Sequence, residues 1–322
     1  MILIKTNQYQ LKYKMSESDQ KNLNKVLASP KARKFARELG VNVNEVVGSK
    51  RLGRVIEKDI KEFVSSKINK SLENKNIQIN QEYEHSEFGE IEIKEISRIK
   101  RIAAPHLTNS WTNIPHVTNH DEVDITEMEE FRNSLTDIHT GERKKITPLA
   151  FIIKAVVSSL KKFPSFNSSI DDIEKGKVIY KKYYHIGIAV DTLNGLMVPK
   201  IRNVDKKNIN QISQELKKVS EDCRNLKIDK KEFFGGSITI TSLGGIGGSF
   251  FTPIINFPEV AILGIGRSYK KQLFINGNFL ARTVLPISLS YDHRIIDGAE
   301  AARFNNDLKE NLGTNFAYKL AI

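Results

Sequence analysis

The residues most able to do chemistry stand in a polar turn near the C-terminal end, where Asp297 follows His293 by four positions. A run rich in apolar residues, VLPISLS, precedes the turn, and an amphipathic helical pattern follows it. We therefore expect an imidazole at the edge of a sheet, with a carboxylate about one helical turn away. Histidine is the side chain best suited to proton transfer near neutral pH. Because this spacing is also typical of a structural histidine and a helix cap, the spacing alone leaves both interpretations open.

A second segment combines hydroxyl groups with glycines. Thr241 and Ser242 end a predicted strand that runs into the sequence LGGIGGS. A hydroxyl at a strand end can donate a hydrogen bond to an oxyanion that forms during a reaction. The glycines also suit a phosphate-binding loop, but no Gly-Lys-Ser/Thr is present and their spacing differs from GxGxxG. The pattern therefore favours a structural hairpin loop, in which glycines adopt positive φ.

The third candidate is a basic surface between Lys31 and Lys61, a segment with nine cations and four acidic residues. Such a surface would steer an acidic protein partner or a nucleic acid backbone, and the same pattern is typical of a solvated helix face. The whole chain has a formal net charge of +12, which a lysine-rich solvated surface also explains.

Length and composition limit the class of protein. The chain has 322 residues, of which 39 % are hydrophobic and 27 % charged, so it is neither a disordered tail nor a fibre. No stretch reaches the roughly 18 uncharged apolar residues that a membrane helix needs, and the N-terminal apolar core is too short for a signal peptide. The single cysteine, Cys223, excludes an internal disulfide framework and a cysteine-built metal site. These features predict a soluble cytoplasmic protein.

The basic surface must be positioned by a small helical unit at residues 26–66. Ser29 and Pro30 are typical of an N-cap and a first helical position, and Gly40 is typical of a helix end. A loop follows, and the apolar spacing predicts a second amphipathic helix from Ile56.

The rest of the chain divides into a flexible N-terminus at residues 1–25, a linker at residues 67–95, and a large globular region at residues 96–322. The first two are polar and hold few large apolar residues. In the large region, segments rich in Val and Ile predict strands: HIGIAVDT, GLMVPKI, GSITITS, EVAILGIG and VLPISLSYD. Helical patterns interleave with them, which predicts an α/β (α+β) domain with a helix layer on a mixed sheet.

Two sets of motifs resemble a single family. The segment SPKARKFARELGVNVNEVVGSKRLGRVIEKDIKEFV resembles the peripheral subunit-binding domain of the 2-oxoacid dehydrogenase acyltransferases. The segments NIPHVTNHDEVDITEMEEFR, ITITSLGGIGG and LSYDHRIIDGAEAARF resemble the catalytic domain of the same family in order and spacing. The DHRxxDG motif in this setting is highly specific.

The resemblance implies a two-layer catalytic domain like that of chloramphenicol acetyltransferase. It implies homotrimers with active sites between subunits, which assemble into a larger core such as a 24-subunit cube. Coenzyme A would enter from one side and a dihydrolipoyl arm from the other. By position, His293 matches the family's general base, Thr241 its oxyanion-stabilising hydroxyl and Asp297 a supporting carboxylate. Arg98 and Arg101 match a basic stretch that meets the phosphates of coenzyme A, and no metal is implied.

In the small unit, the resemblance implies a protein-docking surface rather than a nucleic acid site. The matching cations are Arg33, Lys34, Arg37 and Arg54. The implied partners are the decarboxylating component and dihydrolipoamide dehydrogenase, and no nucleic acid or membrane partner is expected. The segments IPHVT and DGAEAARF resemble most the pyruvate-type members of the family in proteobacteria, so acetyl is the expected acyl group.

The sequence departs from the family in two places. The loop GSKRLGR has Lys50 where the family usually has glycine, which would strain the backbone if that position needs positive φ. No lipoylation turn of the Asp-Lys-Ala kind is found, so we expect the lipoyl group to be carried on a separate domain or chain.

Four alternatives stay open at this point, and one of them is a basic nucleic-acid binder, whose DNA binding would depend steeply on salt. A non-catalytic scaffold subunit would keep the docking unit without an active site, although the intact HRIIDG argues against it. A free-standing antibiotic acetyltransferase would have no use for the docking unit. A succinyl or branched-chain acyltransferase would differ in the shape of its acyl pocket, which a sequence does not show.

Overall fold

The computed structural model describes residues 26–73, 83–136, 141 and 145–313. The chain divides into two compact units, residues 1–93 and residues 94–322. The predicted flexible terminus, residues 1–25, and the middle of the predicted linker, residues 74–82, lie outside the described residues.

Within its described residues, the smaller unit contains two α-helices, α1 (Pro30–Glu38) and α2 (Glu57–Glu73). The predicted ends of α1 are confirmed, because the Ser29 hydroxyl accepts a hydrogen bond from the amide of Ala32 and Gly40 has a φ of 65°. α2 continues seven residues into the predicted linker, since that stretch contains no glycine or proline to end it. The buried core of the unit is Ala32, Ala36, Val43, Val46, Val55 and Ile60.

The loop between these helices does not strain Lys50, whose backbone is extended with a φ of −89°. The left-handed positions fall instead on Leu52, at φ 63°, and Gly53, at φ 70°. Gly48 is the glycine that the loop requires, because a Cβ there would lie 2.3 Å from the carbonyl oxygen of Gly53. The turn therefore forms with a lysine at position 50.

The larger unit contains five α-helices and eleven strands within its described residues. The helices are α3 (Arg98–Asn113), α4 (Thr126–Ser134), α5 (Pro148–Lys162), α6 (Ile209–Arg224) and α7 (Gly298–Leu312). The strands are β1 (His116–Asp124), β2 (Ser168–Asp172), β3 (Lys177–Tyr180), β4 (Ile186–Ile188), β5 (Val190–Thr192), β6 (Gly195–Met197), β7 (Lys200–Ile201), β8 (Ile238–Ser242), β9 (Ala261–Ile265), β10 (Tyr269–Ile275) and β11 (Asn278–Asp292).

Seven strands form the main sheet, six of them in the order β1-β11-β9-β8-β4-β7, while β10 pairs with the first half of β11. β8 runs parallel to β4 and β9, and the other pairs are antiparallel. The predicted mixed sheet is confirmed. The glycine-rich segment 243–260 is not the predicted hairpin, because it joins parallel neighbours and a tight turn cannot do so.

Helices cover one face of this sheet. Alternate residues of β11 from Leu285 to Tyr291 are buried in the same core as α5 and α7, which confirms the predicted helix layer. The other residues of β11, including Ser288, Ser290 and Asp292, are buried on the opposite face. The segment 251–258 covers part of that second face, where the amide of Phe251 donates to the Ser288 hydroxyl at 3.3 Å. Thr241 of β8 is also on this polar face, since Ile240 beside it is in the core.

Helix α3 has no counterpart among the predicted elements. Pro105 lies inside it, and most of its side chains are exposed, so no apolar stripe marks it in the sequence. None of the described helices has the length and apolar character that a membrane crossing requires.

Candidate functional site

His293 is the first residue after β11, a strand paired with β1 on one side and β9 on the other. Its amide donates to the carbonyl of Pro115 at 3.0 Å, which anchors the backbone where the strand ends. Its imidazole is exposed, and the ring centroid lies 5.9 Å from that of Tyr291. The imidazole is therefore held on a rigid support while it stays accessible to a reactant.

An ion pair that sequence reasoning missed flanks the histidine, with a buried carboxylate and a partly exposed guanidinium group. Arg294 donates through Nε to Oδ1 of Asp292 at 2.9 Å and through Nη2 to Oδ2 at 2.6 Å. The Asp292 carboxylate is buried and also accepts the amide of Arg294. Because a bidentate pair fixes geometry as well as charge, it holds the turn that carries His293. The signal was present in the sequence, since both residues are adjacent to the histidine.

Asp297 serves as the N-cap of α7, where its Oδ1 accepts the amide of Glu300 at 2.7 Å. Within one chain this carboxylate makes no hydrogen bond to His293. The cap accounts for the residue in the folded chain, and its supporting role in catalysis stays a prediction.

Thr241 lies on β8 and lines a cavity of about 310 Å³ on the polar face of the sheet. Most of the surrounding side chains are apolar, among them Val198, Phe251, Ile254 and Ile262. The lining contains no Asp, Glu, Lys or Arg side chain, and its one ionisable group is the imidazole of His106. The cavity therefore suits an uncharged, mainly hydrocarbon ligand with a polar group at the Thr241 end.

Two threonines of β8 line this cavity, and their hydroxyls differ in their hydrogen bonding. The Thr239 hydroxyl donates to Oε2 of Glu259 at 2.6 Å. In the part of the chain that the structure describes, the Thr241 hydroxyl has no hydrogen-bond partner. Of the two, Thr241 is the one that can donate to an oxyanion.

His293 and Thr241 do not meet within one chain. The register aligns Thr241 with Gly264 of β9, and Gly264 with Ser288 of β11. His293 lies five residues beyond Ser288, so strand rise and strand spacing separate the two residues by about 20 Å. Each chain therefore presents the two groups at separate places.

Two other histidines of the larger unit, His116 and His185, are engaged in structural hydrogen bonds. Nε2 of His116 accepts the amide of Ile255 at 3.0 Å, so its Nδ1 carries the proton and donates to the carbonyl of Ile114 at 2.8 Å. His185 accepts the amide of Asn203, and burial lowers the pKa of its imidazole. Neither residue is positioned as a free base.

Arg98 and Arg101 are exposed in the first turns of α3. The Ser97 hydroxyl donates to the carbonyl of Asn194, which attaches the start of the helix to the turn between β5 and β6. Neither arginine lines the cavity, but His106 farther along α3 does. At 1.5 Å per residue, the helix places Arg101 about 8 Å from His106 along its axis.

In the smaller unit, the four predicted docking cations are exposed. Arg33 donates to the carbonyl of Val26 at 2.7 Å, and the amide of Val55 donates to the carbonyl of Leu27 at 2.8 Å. Arg33 and Arg54 therefore both border the segment at residues 26–28. Lys34 and Arg37 follow on α1, where the Lys34 ammonium lies 3.9 Å from the Glu38 carboxylate, an exposed contact that adds little stability.

Known proteins match both units. A model of the 2-oxoacid dehydrogenases acyltransferase (catalytic domain) matches residues 88–318, and one of the e3 binding domain matches residues 26–61. The dihydrolipoyllysine-residue acetyltransferase component of the pyruvate dehydrogenase complex of Cupriavidus necator is 46 % identical over 291 residues. That alignment covers 86 % of this chain and 52 % of the relative, so the chain spans about half the relative's length.

Two solved structures are similar to the chain: the dihydrolipoamide acetyltransferase of Azotobacter vinelandii and the cubic core of a pyruvate dehydrogenase multienzyme complex. Each is 42 % identical with a TM-score of 0.71, and each match covers 76 % of this chain and all of the other. The work on the Azotobacter protein concerns a serine, a histidine and an asparagine in its catalytic mechanism.

Proposed function

Because the chain belongs to the 2-oxoacid dehydrogenase acyltransferase family, we propose that it transfers an acetyl group from a dihydrolipoyl arm to coenzyme A in a pyruvate dehydrogenase complex. The observation that carries the proposal is a pair of spacings. Thr241 precedes His293 by 52 positions and Asp297 follows it by four, as do the serine and the asparagine of the Azotobacter protein around its histidine. Here the asparagine is replaced by aspartate.

In the proposed mechanism, His293 is the general base. A thiol has an ordinary pKa of about 8.5, so little of it is thiolate at neutral pH. The imidazole takes the proton as the sulfur of coenzyme A attacks the thioester carbonyl, which accelerates the step by roughly 100- to 10,000-fold. The resulting imidazolium then returns the proton to the departing dihydrolipoyl sulfur.

Thr241 is proposed to stabilise the tetrahedral intermediate. Its hydroxyl would donate to the oxyanion that forms when the carbon–sulfur bond to coenzyme A is made. One such donor contributes about 3 kcal/mol in comparable enzymes. The intermediate collapses when the carbon–sulfur bond to the dihydrolipoyl group breaks.

We propose that the complete site lies between two copies of the chain, with His293 from one and Thr241 from the other. The separation of about 20 Å within a chain supports this arrangement. A trimer that assembles further into a cubic core would provide such interfaces, and one similar structure is a cubic core.

The two substrates differ in chemistry, and so do the surfaces proposed for them. The dihydrolipoyl arm is a hydrocarbon chain that ends in two thiols, which suits the apolar cavity beside Thr241. Coenzyme A carries phosphates, and Arg98 and Arg101 are cations on the helix that also borders the cavity. A guanidinium group binds phosphate through paired hydrogen bonds.

For the smaller unit we propose docking of dihydrolipoamide dehydrogenase and of the decarboxylating component. The match to the e3 binding domain supports the first partner. The exposed cations Arg33, Lys34, Arg37 and Arg54 support an acidic partner surface.

The activity is tested with purified chain, coenzyme A, and acetyl- or succinyl-dihydrolipoamide. We expect kcat/KM to be higher for acetyl-dihydrolipoamide than for succinyl-dihydrolipoamide. A preference for the succinyl donor would contradict the proposed acyl group, and no transfer from either donor would contradict the proposed function.

A further inference from the structure

A buried ion pair lies beside the cavity on the polar face of the sheet. The Lys200 ammonium is 2.6 Å from Oε1 of Glu259, and the two side chains are only 1 % and 2 % exposed. A buried pair of this kind is often no more stabilising than apolar side chains of similar volume. Its presence therefore calls for an explanation other than stability.

Two glycines make room for this pair. A Cβ at Gly187, which lies between Lys200 and Thr239 in the register, would be 2.6 Å from both the Lys200 ammonium and the Thr239 hydroxyl. A Cβ at Gly236 would be 2.0 Å from Oε1 of Glu259. Lys200 can reach across a whole strand only because these positions carry no side chain.

The Glu259 carboxylate connects three elements. Oε1 accepts hydrogen bonds from Lys200 on β7 and, at 3.3 Å, from Nδ2 of Asn256 in the covering segment. Oε2 accepts the hydroxyl of Thr239 on β8. The amide of Glu259 also donates to the carbonyl of Asn256 at 3.0 Å, which closes the turn between them. Thr239 and Asn256 both line the cavity.

We propose that Lys200 and Glu259 are positioning residues for the acyl-donor pocket. By holding Asn256 and Thr239, the pair fixes the cavity wall beside Thr241 and so sets the affinity for the dihydrolipoyl substrate. This role depends on the proposed function, because it concerns the pocket of that reaction. Neither residue touches the reacting atoms.

A second carboxylate offers a matched control. Asp307 on α7 is buried and accepts hydrogen bonds from a lysine, a hydroxyl and an asparagine amide, namely Lys162, Ser159 and Asn311. It has the same three types of donor as Glu259, but it lies in the helix layer and does not line the cavity.

The test compares three variants in the acetyl-transfer assay: the double variant Lys200→Met/Glu259→Gln, Asn256→Ala, and Asp307→Asn. The double variant removes both charges of the pair together, and Asn256→Ala leaves the ion pair intact. For both variants we expect the KM for acetyl-dihydrolipoamide to rise about tenfold. The reason is that each variant loses a hydrogen bond that fixes the cavity wall, and the loss of one hydrogen bond can change an affinity by about this factor. We expect a smaller change in kcat and an unchanged KM for coenzyme A. Asp307→Asn should leave both KM values unchanged.

An unchanged KM for the acyl donor in both the double variant and Asn256→Ala would overturn the proposal. Equal increases in the two KM values, or the same increase in Asp307→Asn, would also overturn it, because they would indicate general loosening of the fold. If the wild-type chain transfers no acetyl group at all, the proposed function fails instead, which distinguishes the two failures.

Discussion

The larger unit holds Thr241 on a strand and His293 directly after another, and both strands are paired on two sides. The smaller unit instead presents its candidate docking cations on a short helix and a turn. β11 lies between β1 and β9, and β8 lies between β4 and β9. By contrast, Lys34 on α1 is 75 % exposed and makes only a long contact to Glu38. Proton transfer needs heavy atoms within hydrogen-bond distance, so it requires fixed positions. Attraction between charged surfaces acts over several ångströms and tolerates mobile side chains.

Among the changes considered for the two units, replacement of His293 should have the largest effect, and that effect is on the rate of acetyl transfer. We expect His293→Ala to lower kcat for acetyl transfer by at least about 100-fold, because the general base is lost. Its exposed side chain makes no hydrogen bond within the described residues, so the variant should assemble normally. Kinetics and size-exclusion chromatography check the two statements. Near-normal turnover by an assembled variant would exclude His293 as the base.

Mixed assemblies test whether the site is shared between copies. His293→Ala and Thr241→Ala chains should each be strongly impaired alone. When they are co-expressed in equal amounts, about a quarter of the interfaces should combine an intact His293 with an intact Thr241 from the neighbouring copy. We therefore expect activity to recover to about a quarter of the wild-type value.

If mixed assemblies recover no activity, the two groups do not act across an interface between copies. That result would contradict the shared site, which is inferred from the strand register. The control is the same mixture prepared from separately assembled variants, in which copies do not exchange. That mixture should stay as inactive as its components.

Features of the fold and of the site that depend on residues close together in the chain could be predicted from the sequence. The caps at Ser29 and Gly40 and the DHRIIDG segment depend on neighbours in the chain. The pairing of Lys200 with Glu259, 59 positions apart, depends on strand order and on the absence of side chains at two glycines. The separation of Thr241 from His293 likewise follows only from sheet register. Helix α3 was not predicted for a different reason. It contains Pro105, and its mostly exposed side chains do not form the apolar stripe by which an amphipathic helix is predicted.

The larger unit also holds a buried cation, in contrast to the exposed cations of the smaller unit. Lys181 is 9 % exposed and donates to the carbonyl of Gly236 at 2.8 Å, and burial lowers the pKa of its ammonium to about 8. Between pH 8 and its ordinary pKa of about 10.4, the unfolded chain binds a proton that the folded chain does not. The contribution of Lys181 to the free energy of unfolding should therefore be most unfavourable below pH 8 and should improve as the pH rises.

We expect the difference in the free energy of unfolding between wild type and Lys181→Met to change by about 3 kcal/mol in favour of the wild type from pH 7.5 to pH 10.5. Denaturant titrations at several pH values measure it. The exposed Lys34→Met variant controls for the loss of one positive charge. A difference that stays constant with pH would show that Lys181 does not titrate in this range.

Replacement of single docking cations should have the smallest effects, which are on the affinity for the partner. These cations include one whose side chain makes no hydrogen bond and one whose side chain binds the backbone. Arg54 is exposed and has no side-chain hydrogen bond among the described residues, whereas Arg33 binds the carbonyl of Val26. We expect Arg54→Ala to weaken binding of dihydrolipoamide dehydrogenase about fivefold without a change in melting temperature, as for an exposed charge pair. Arg33→Ala should lower both affinity and melting temperature. Lys58→Ala, an exposed cation on α2, is the control.

Titration calorimetry at low and high salt completes the test, because screening shortens the reach of surface charges to about 3 Å at 1 M salt. The affinity of the wild type should fall as salt rises, and the gap between wild type and Arg54→Ala should narrow. An affinity that is independent of salt would mean that the docking surface works through close packing. In that case the smaller unit would depend on fixed contacts as the larger one does, and the contrast between the two units would no longer hold.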